Sequence, residues 1–143
     1  MSKVLGADEF LRDLQKLGAE MPRVEREMLK AGGQTMAEDG WEAEIRARDF
    51  ISRGENQDHM VDHVVYKVVS RKGRPRAEIT AQGTDSRGVR HAAKAFYLHY
   101  GTSKIRATHW IDTAEARAMP AASAAMGAAL AGALNQTIGG KNT

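Results

Sequence analysis

Apolar residues recur at helical spacing through the first third of the chain. Phe10, Leu11, Leu14 and Leu17 share one face, which predicts a short amphipathic helix over residues 7–17. Gly18 stands where a helix stops, and Pro22 suits the first turn of a second one. That second helix is expected to run to about Arg48. Its apolar line passes through Met21, Val24, Met28, Gly32 and Met36, then steps to Ala37, Trp41 and Ile45. Glu42 with Arg46, and Glu44 with Arg48, support it at i,i+4. Gly32-Gly33 marks either a weak point or a place where another backbone comes close. The Met and Trp stripe reads as core.

The period then changes from helix to strand. Residues 50–58 are polar and predict an exposed loop. After them Val64, Tyr66 and Val68 alternate with Val65, Lys67 and Val69. Ala77, Ile79 and Ala81 alternate in turn with Arg76, Glu78 and Thr80, and Arg71 to Pro75 supplies the turn of a hairpin. Residues 83–90 predict another loop. Phe96 to Tyr100 fits strand or helix, because five residues do not fix a period; its aromatics read as core. Gly101-Thr102-Ser103 is a turn. Trp110 opens a C-terminal helix that Pro120 kinks or restarts on the way to Leu134. Residues 138–143 are expected to fray. The pattern predicts one α+β domain over residues 1–143: two N-terminal helices, an antiparallel sheet built on the 64–82 hairpin, and a C-terminal helix.

Composition changes this picture in one respect. The chain has 143 residues, of which Leu, Ile, Val and Phe make up only 25, while alanine alone accounts for 23. Twelve of those alanines lie from Ala107 onward. A core of small side chains predicts modest stability alone and a gain from assembly. No charged residue falls between Ala118 and Gly140, but that stretch is mostly Ala, Gly, Ser and Thr, too weakly apolar for a membrane span. A helix packed closely against a neighbour is the better reading.

Net charge is +3, but it is unevenly spread. Residues 1–65 carry 9 basic and 14 acidic side chains, whereas residues 66–117 carry 11 and 4. Such a division suits nucleic-acid binding through the basic part, head-to-tail docking of copies, or simply two solvated faces. The chain has no cysteine, which removes disulfides, thiol nucleophiles and cysteine zinc sites. Its first residues hold no apolar stretch suited to a signal sequence, so secretion by that route is not expected.

No catalytic constellation emerges. Ser103 lacks the Gly-x-Ser-x-Gly elbow of a hydrolase, and Gly101-Thr102-Ser103-Lys104 holds the letters of a phosphate loop in the wrong order. His59 and His63, with Asp58 and Asp62, have the donor types of a zinc or nickel site but no third cluster to complete it. Neither metal nor cofactor is expected. Basic groups are denser. Arg71, Lys72, Arg74 and Arg76 sit about the hairpin turn, and Arg87, Arg90 and Lys94 follow, yet no helix-turn-helix or zinc pattern accompanies them.

One segment carries a family resemblance. The run from Ala95 to Ala114 resembles the signature of the small tail-completion, or head–tail joining (neck), proteins of long-tailed double-stranded DNA phages. Tyr97, Leu98, Tyr100, Gly101, Thr102, Ser103, Lys104, Ala107, Ile111 and Ala114 match it, and Trp110 stands where Phe is usual. His99 replaces the usual Glu, and Arg106 and His109 replace two prolines. The order of helices before this segment also agrees.

The resemblance implies binding rather than catalysis. It implies copies of the chain in a ring, a hexamer, seated between a head connector or adaptor and the tail tube or terminator. It places the protein in the virion neck, and in the host cytoplasm during assembly. The motif residues Tyr97, Tyr100, Gly101 to Lys104, Trp110, Ile111 and Ala114 are then interface candidates. Arg74, Arg76, Arg87 and Arg90 become candidates for a lumen that DNA crosses, touching it transiently and without regard to sequence. A small basic DNA-binding protein is the rival reading, and a membrane-active one a third.

Overall fold

The computed structural model describes residues 2–50 and 59–137; the expected loop at 50–58 lies almost wholly outside them, as does the end at 138–143. The fold is α+β. Helix α1 spans Ser2–Thr35, about 50 Å at the usual rise. It passes without a break into a π-helical segment, Met36–Glu42, and then helix α2, Ala43–Ala47. A 3₁₀ turn at Met60–His63 leads into strands β1 (Val64–Arg71) and β2 (Arg74–Ala81). Helices α3 (His91–Tyr100) and α4 (Trp110–Thr137) follow.

The interruption in the N-terminal helical run is not at Gly18. Gly18 and Pro22 both lie inside α1. Proline clashes with the carbonyl four residues back and leaves it without a donor. Here that carbonyl belongs to Gly18, whose surroundings are open, with nothing within 4 Å of an added Cβ. The two breakers therefore fall on a single turn that solvent can reach. Pro120 likewise sits within α4 on an exposed face and does not end it.

The real change of geometry comes at Met36–Glu42, where the apolar line steps by one residue. Just before it, the Thr35 hydroxyl donates to the Ala31 carbonyl at 3.0 Å, competing with the helix ladder. At the far end the Ala43 N–H donates to Glu38 O, five residues back, as a wider helical turn requires. The result keeps Ala37, Gly40, Trp41, Glu44 and Ile45 on the buried face.

That face packs on α4. Ala114, Ala118 and Ala122 lie buried along α4 at intervals of one turn, which explains why an alanine-rich helix suffices. The approach is close: a Cβ on Gly40 would meet Ala114 O at 2.9 Å and Ala118 Cβ at 3.1 Å. Glu44, 6% exposed, ties the same junction, with Arg48 at 2.7 Å and Arg117 at 3.0 Å. The core gathers on Trp110, which is fully buried. It meets Trp41 edge to face at 5.0 Å and Phe50 at 6.1 Å, and its indole N–H donates to Ala95 O at 3.0 Å.

The hairpin lies across α1. Its register pairs Tyr66 with Ile79 and Val68 with Ala77, the alternation read from sequence. The turn is tighter than expected, only Lys72 and Gly73, both at positive φ as a type I′ turn requires. Gly33 makes room beneath it, its Cβ position lying 3.2 Å from Ala77 Cβ and 3.3 Å from Tyr66 Cδ2. Gly32-Gly33 is thus a place of close approach, not a break. Among the described residues no helix is long and apolar enough to cross a membrane.

Candidate interaction surface

Residues 96–100 are helical, and the helical period decides which of them face inward. His91, Ala95 and His99 are buried, at intervals of four. Phe96, Tyr97 and Tyr100 consequently point outward, 52%, 50% and 66% exposed, which corrects their reading as core. Phe96 and Tyr100 stack on one another, their rings 6.1 Å apart and 14° from parallel. Beside them Tyr97, Leu98 and Ile105 join Phe50, Met60 and Lys94 around a mostly apolar hollow of about 280 Å³.

The segment after α3 doubles back along its last turn. Gly101 N–H donates to Tyr97 O at 2.8 Å, closing the helix, and φ +82° with ψ 169° turns the chain. The Thr102 hydroxyl accepts from the N–H groups of Lys104 at 3.1 Å and Ile105 at 3.0 Å. Thr108 and His109 N–H groups then donate to Leu98 O and His99 O, each at 3.0 Å. The motif residues therefore divide. Tyr97, Tyr100, Thr102, Ser103 and Lys104 are exposed; Trp110 and Ala114 are wholly buried, and Ile111 is half-buried. Trp110 and Ala114 act as packing and reach no partner directly, which sets those two apart from the other interface candidates, while Ile111 keeps part of its surface open.

The four arginines do not form one patch. Arg74 and Arg76 stand near the hairpin tip, where Arg76 pairs with Glu78 at 2.6 Å. The Arg76 hydrogen bond holds the Glu78 carboxyl below its ordinary range, with Arg71 also contributing. Arg90 lines a separate hollow at the hairpin base with Lys67 and Gln82. Arg87 is exposed in a loop organised by Asp85, whose Oδ1 accepts from the N–H groups of Arg87 at 2.8 Å and Val89 at 2.9 Å. Asp85 also pairs with Lys94 at 2.5 Å. The strands are eight residues long, so about 24 Å separates tip from base.

His63 stacks on fully buried His91 at 4.3 Å, and Asp58 lies outside the described residues. A different trio meets at the α3–α4 junction: His99, His109 and Asp112. In the sequence the two histidines stand out only as departures from a motif, since a spacing of ten through a loop is no recognised ligand pattern.

No protein-family model, no curated protein and no solved structure matches the chain.

Proposed function

We propose that the chain is a structural subunit of a phage virion. It assembles with copies of itself into a ring at the neck, between the head connector and the tail, and performs no catalysis. The resemblance over residues 95–114 supports this reading. The observation that carries it is the outward face of α3, where Phe96, Tyr97 and Tyr100 stand half exposed or more beside an apolar hollow. Fully burying a large apolar side chain is worth about 1.5–3 kcal/mol, and the exposed half of each of these leaves roughly half of that gain for a neighbour to supply. Leu11 and Leu14, 55% and 46% exposed on α1, offer a second apolar surface for the same purpose.

The DNA-binding rival finds less support. Its arginines are split between two ends of the hairpin, and one of them is already paired with Glu78. Sedimentation of the wild type against a Phe96→Ser/Tyr100→Ser double variant tests the ring. The wild type should sediment as a closed oligomer; the variant should sediment as a monomer with unchanged far-UV circular dichroism, and should fail to support particle assembly. A double variant that forms oligomers and particles like the wild type overturns the reading.

A further inference from the structure

The last turn of α3 and the first residues of α4 bring three metal-ligating side chains together. The rings of His99 and His109 meet edge to face, 5.2 Å between centroids. Asp112 follows one helical step on, and ligand atoms from all three lie within 4.8 Å of one another. We propose that His99, His109 and Asp112 bind a divalent transition-metal ion of the zinc type and so clamp the end of α3 to the start of α4.

The donor set fits that ion. Two imidazoles and a carboxylate are a usual protein complement for Zn²⁺, with water completing the shell. They are too nitrogen-rich for Ca²⁺ or Mg²⁺, which prefer oxygen. In a tetrahedral shell two ligands each about 2.1 Å from zinc stand about 3.4 Å apart. The observed spread, within 4.8 Å, therefore closes by about 1.4 Å at most, within reach of side-chain rotation at exposed His109 and Asp112.

The backbone is already set for it. His109 sits at φ +51°, a conformation that side chains rarely adopt. It is held there from both sides: its N–H donates to His99 O at 3.0 Å, and its carbonyl accepts from Asp112 N–H at 3.1 Å. His99, 6% exposed, is fixed by its surroundings, with Tyr100 edge-on at 4.5 Å. The positive end of the α4 dipole opposes a cation here, and the Asp112 carboxylate answers that charge. Both histidines stand where the chain departs from the neck-protein signature, so this site does not rest on the proposed function.

One hydrogen bond must yield, and it supplies a readout. His99 Nδ1 accepts from the Ile111 N–H at 3.2 Å. A metal at Nδ1 displaces that donor directly. A metal at Nε2 requires the proton on Nδ1, which then has no lone pair to accept. In either case the Ile111 amide changes partner when the ion binds.

Zn²⁺ titrated calorimetrically into the full chain should bind one ion per copy. The Ile111 amide resonance should move on saturation. Asp112→Asn and His109→Asn, the latter chosen because Asn tolerates positive φ, should each weaken binding about 100-fold or more and leave that amide unmoved; even outer-shell losses cost about 10–100-fold. Absence of Zn²⁺ binding to the wild type, or equal binding by both variants, overturns the proposal.

Discussion

Gly101 shows how far one residue can control the geometry around it. Its φ of +82° with ψ 169° is a backbone region that essentially only glycine enters. An added Cβ would sit 2.8 Å from Ala107 N and 2.9 Å from Ile105 O, both backbone atoms that cannot move aside cheaply. Gly101→Val should therefore destabilise the protein by about 3 kcal/mol, read from urea unfolding. A variant with an unchanged midpoint would show that the return loop adapts. The requirement for glycine was legible in sequence, from its place after an aromatic run and before a polar turn. The outward aim of Phe96, Tyr97 and Tyr100 was not. Five residues fit either period, and only the burial of Ala95 and His99 resolves them.

At the scale of elements, the helical run to Ala47 was legible at its far end, but neither its start at Ser2 nor its point of interruption was. Gly18 and Pro22 invite a break that local propensity alone would grant. The step from Met36 to Ala37 in the apolar line was the truer sign, because a π-helical segment is how the backbone accommodates one residue too many. Glu42 closes that segment. Burial is the main cause that pushes its carboxyl above the ordinary 4.5, and Glu38 adds to it. A carboxyl raised in the folded state favours folding only where it is protonated. Its contribution is full below the unfolded pKa and is lost as pH rises through the folded one. Glu42→Gln should accordingly raise the melting temperature at pH 7 and make no difference near pH 3. An equal shift at both pH values would point to packing instead.

Across the whole molecule, the division into acidic and basic parts of the sequence does not become one basic surface. The hairpin carries Arg74 and Arg76 to its tip and leaves Arg90 at its base, a separation that counting charges along a chain cannot reveal. DNA contact should then be weak and indifferent to sequence, with dissociation constants of roughly 10⁻⁴ to 10⁻⁶ M at physiological salt. Replacing Arg74, Arg76, Arg87 and Arg90 by Ala should leave the fold intact, since all four are exposed. Titration against random and genomic duplexes checks this, and nanomolar, sequence-dependent binding would favour the DNA reader. The close-packed alanine helix was legible from composition. Its partner was not, because α1 and the last helix are joined only through packing between distant parts of the chain.

That pairing also orders events during synthesis. The surface formed by Ala37, Gly40, Trp41 and Ile45 is only partly covered by Met60, Val61 and Ala81, and its cover is incomplete until Trp110, Ala114 and Ala118 exist. Translation adds roughly 5–20 residues per second, so the nascent chain waits several seconds with its tryptophan side partly uncovered. Local helix can form early, but the tertiary core closes only when the penultimate stretch of the chain emerges. Folding is therefore late and largely all at once, and the interval before it is when a chaperone, or a second nascent copy, has most to grip.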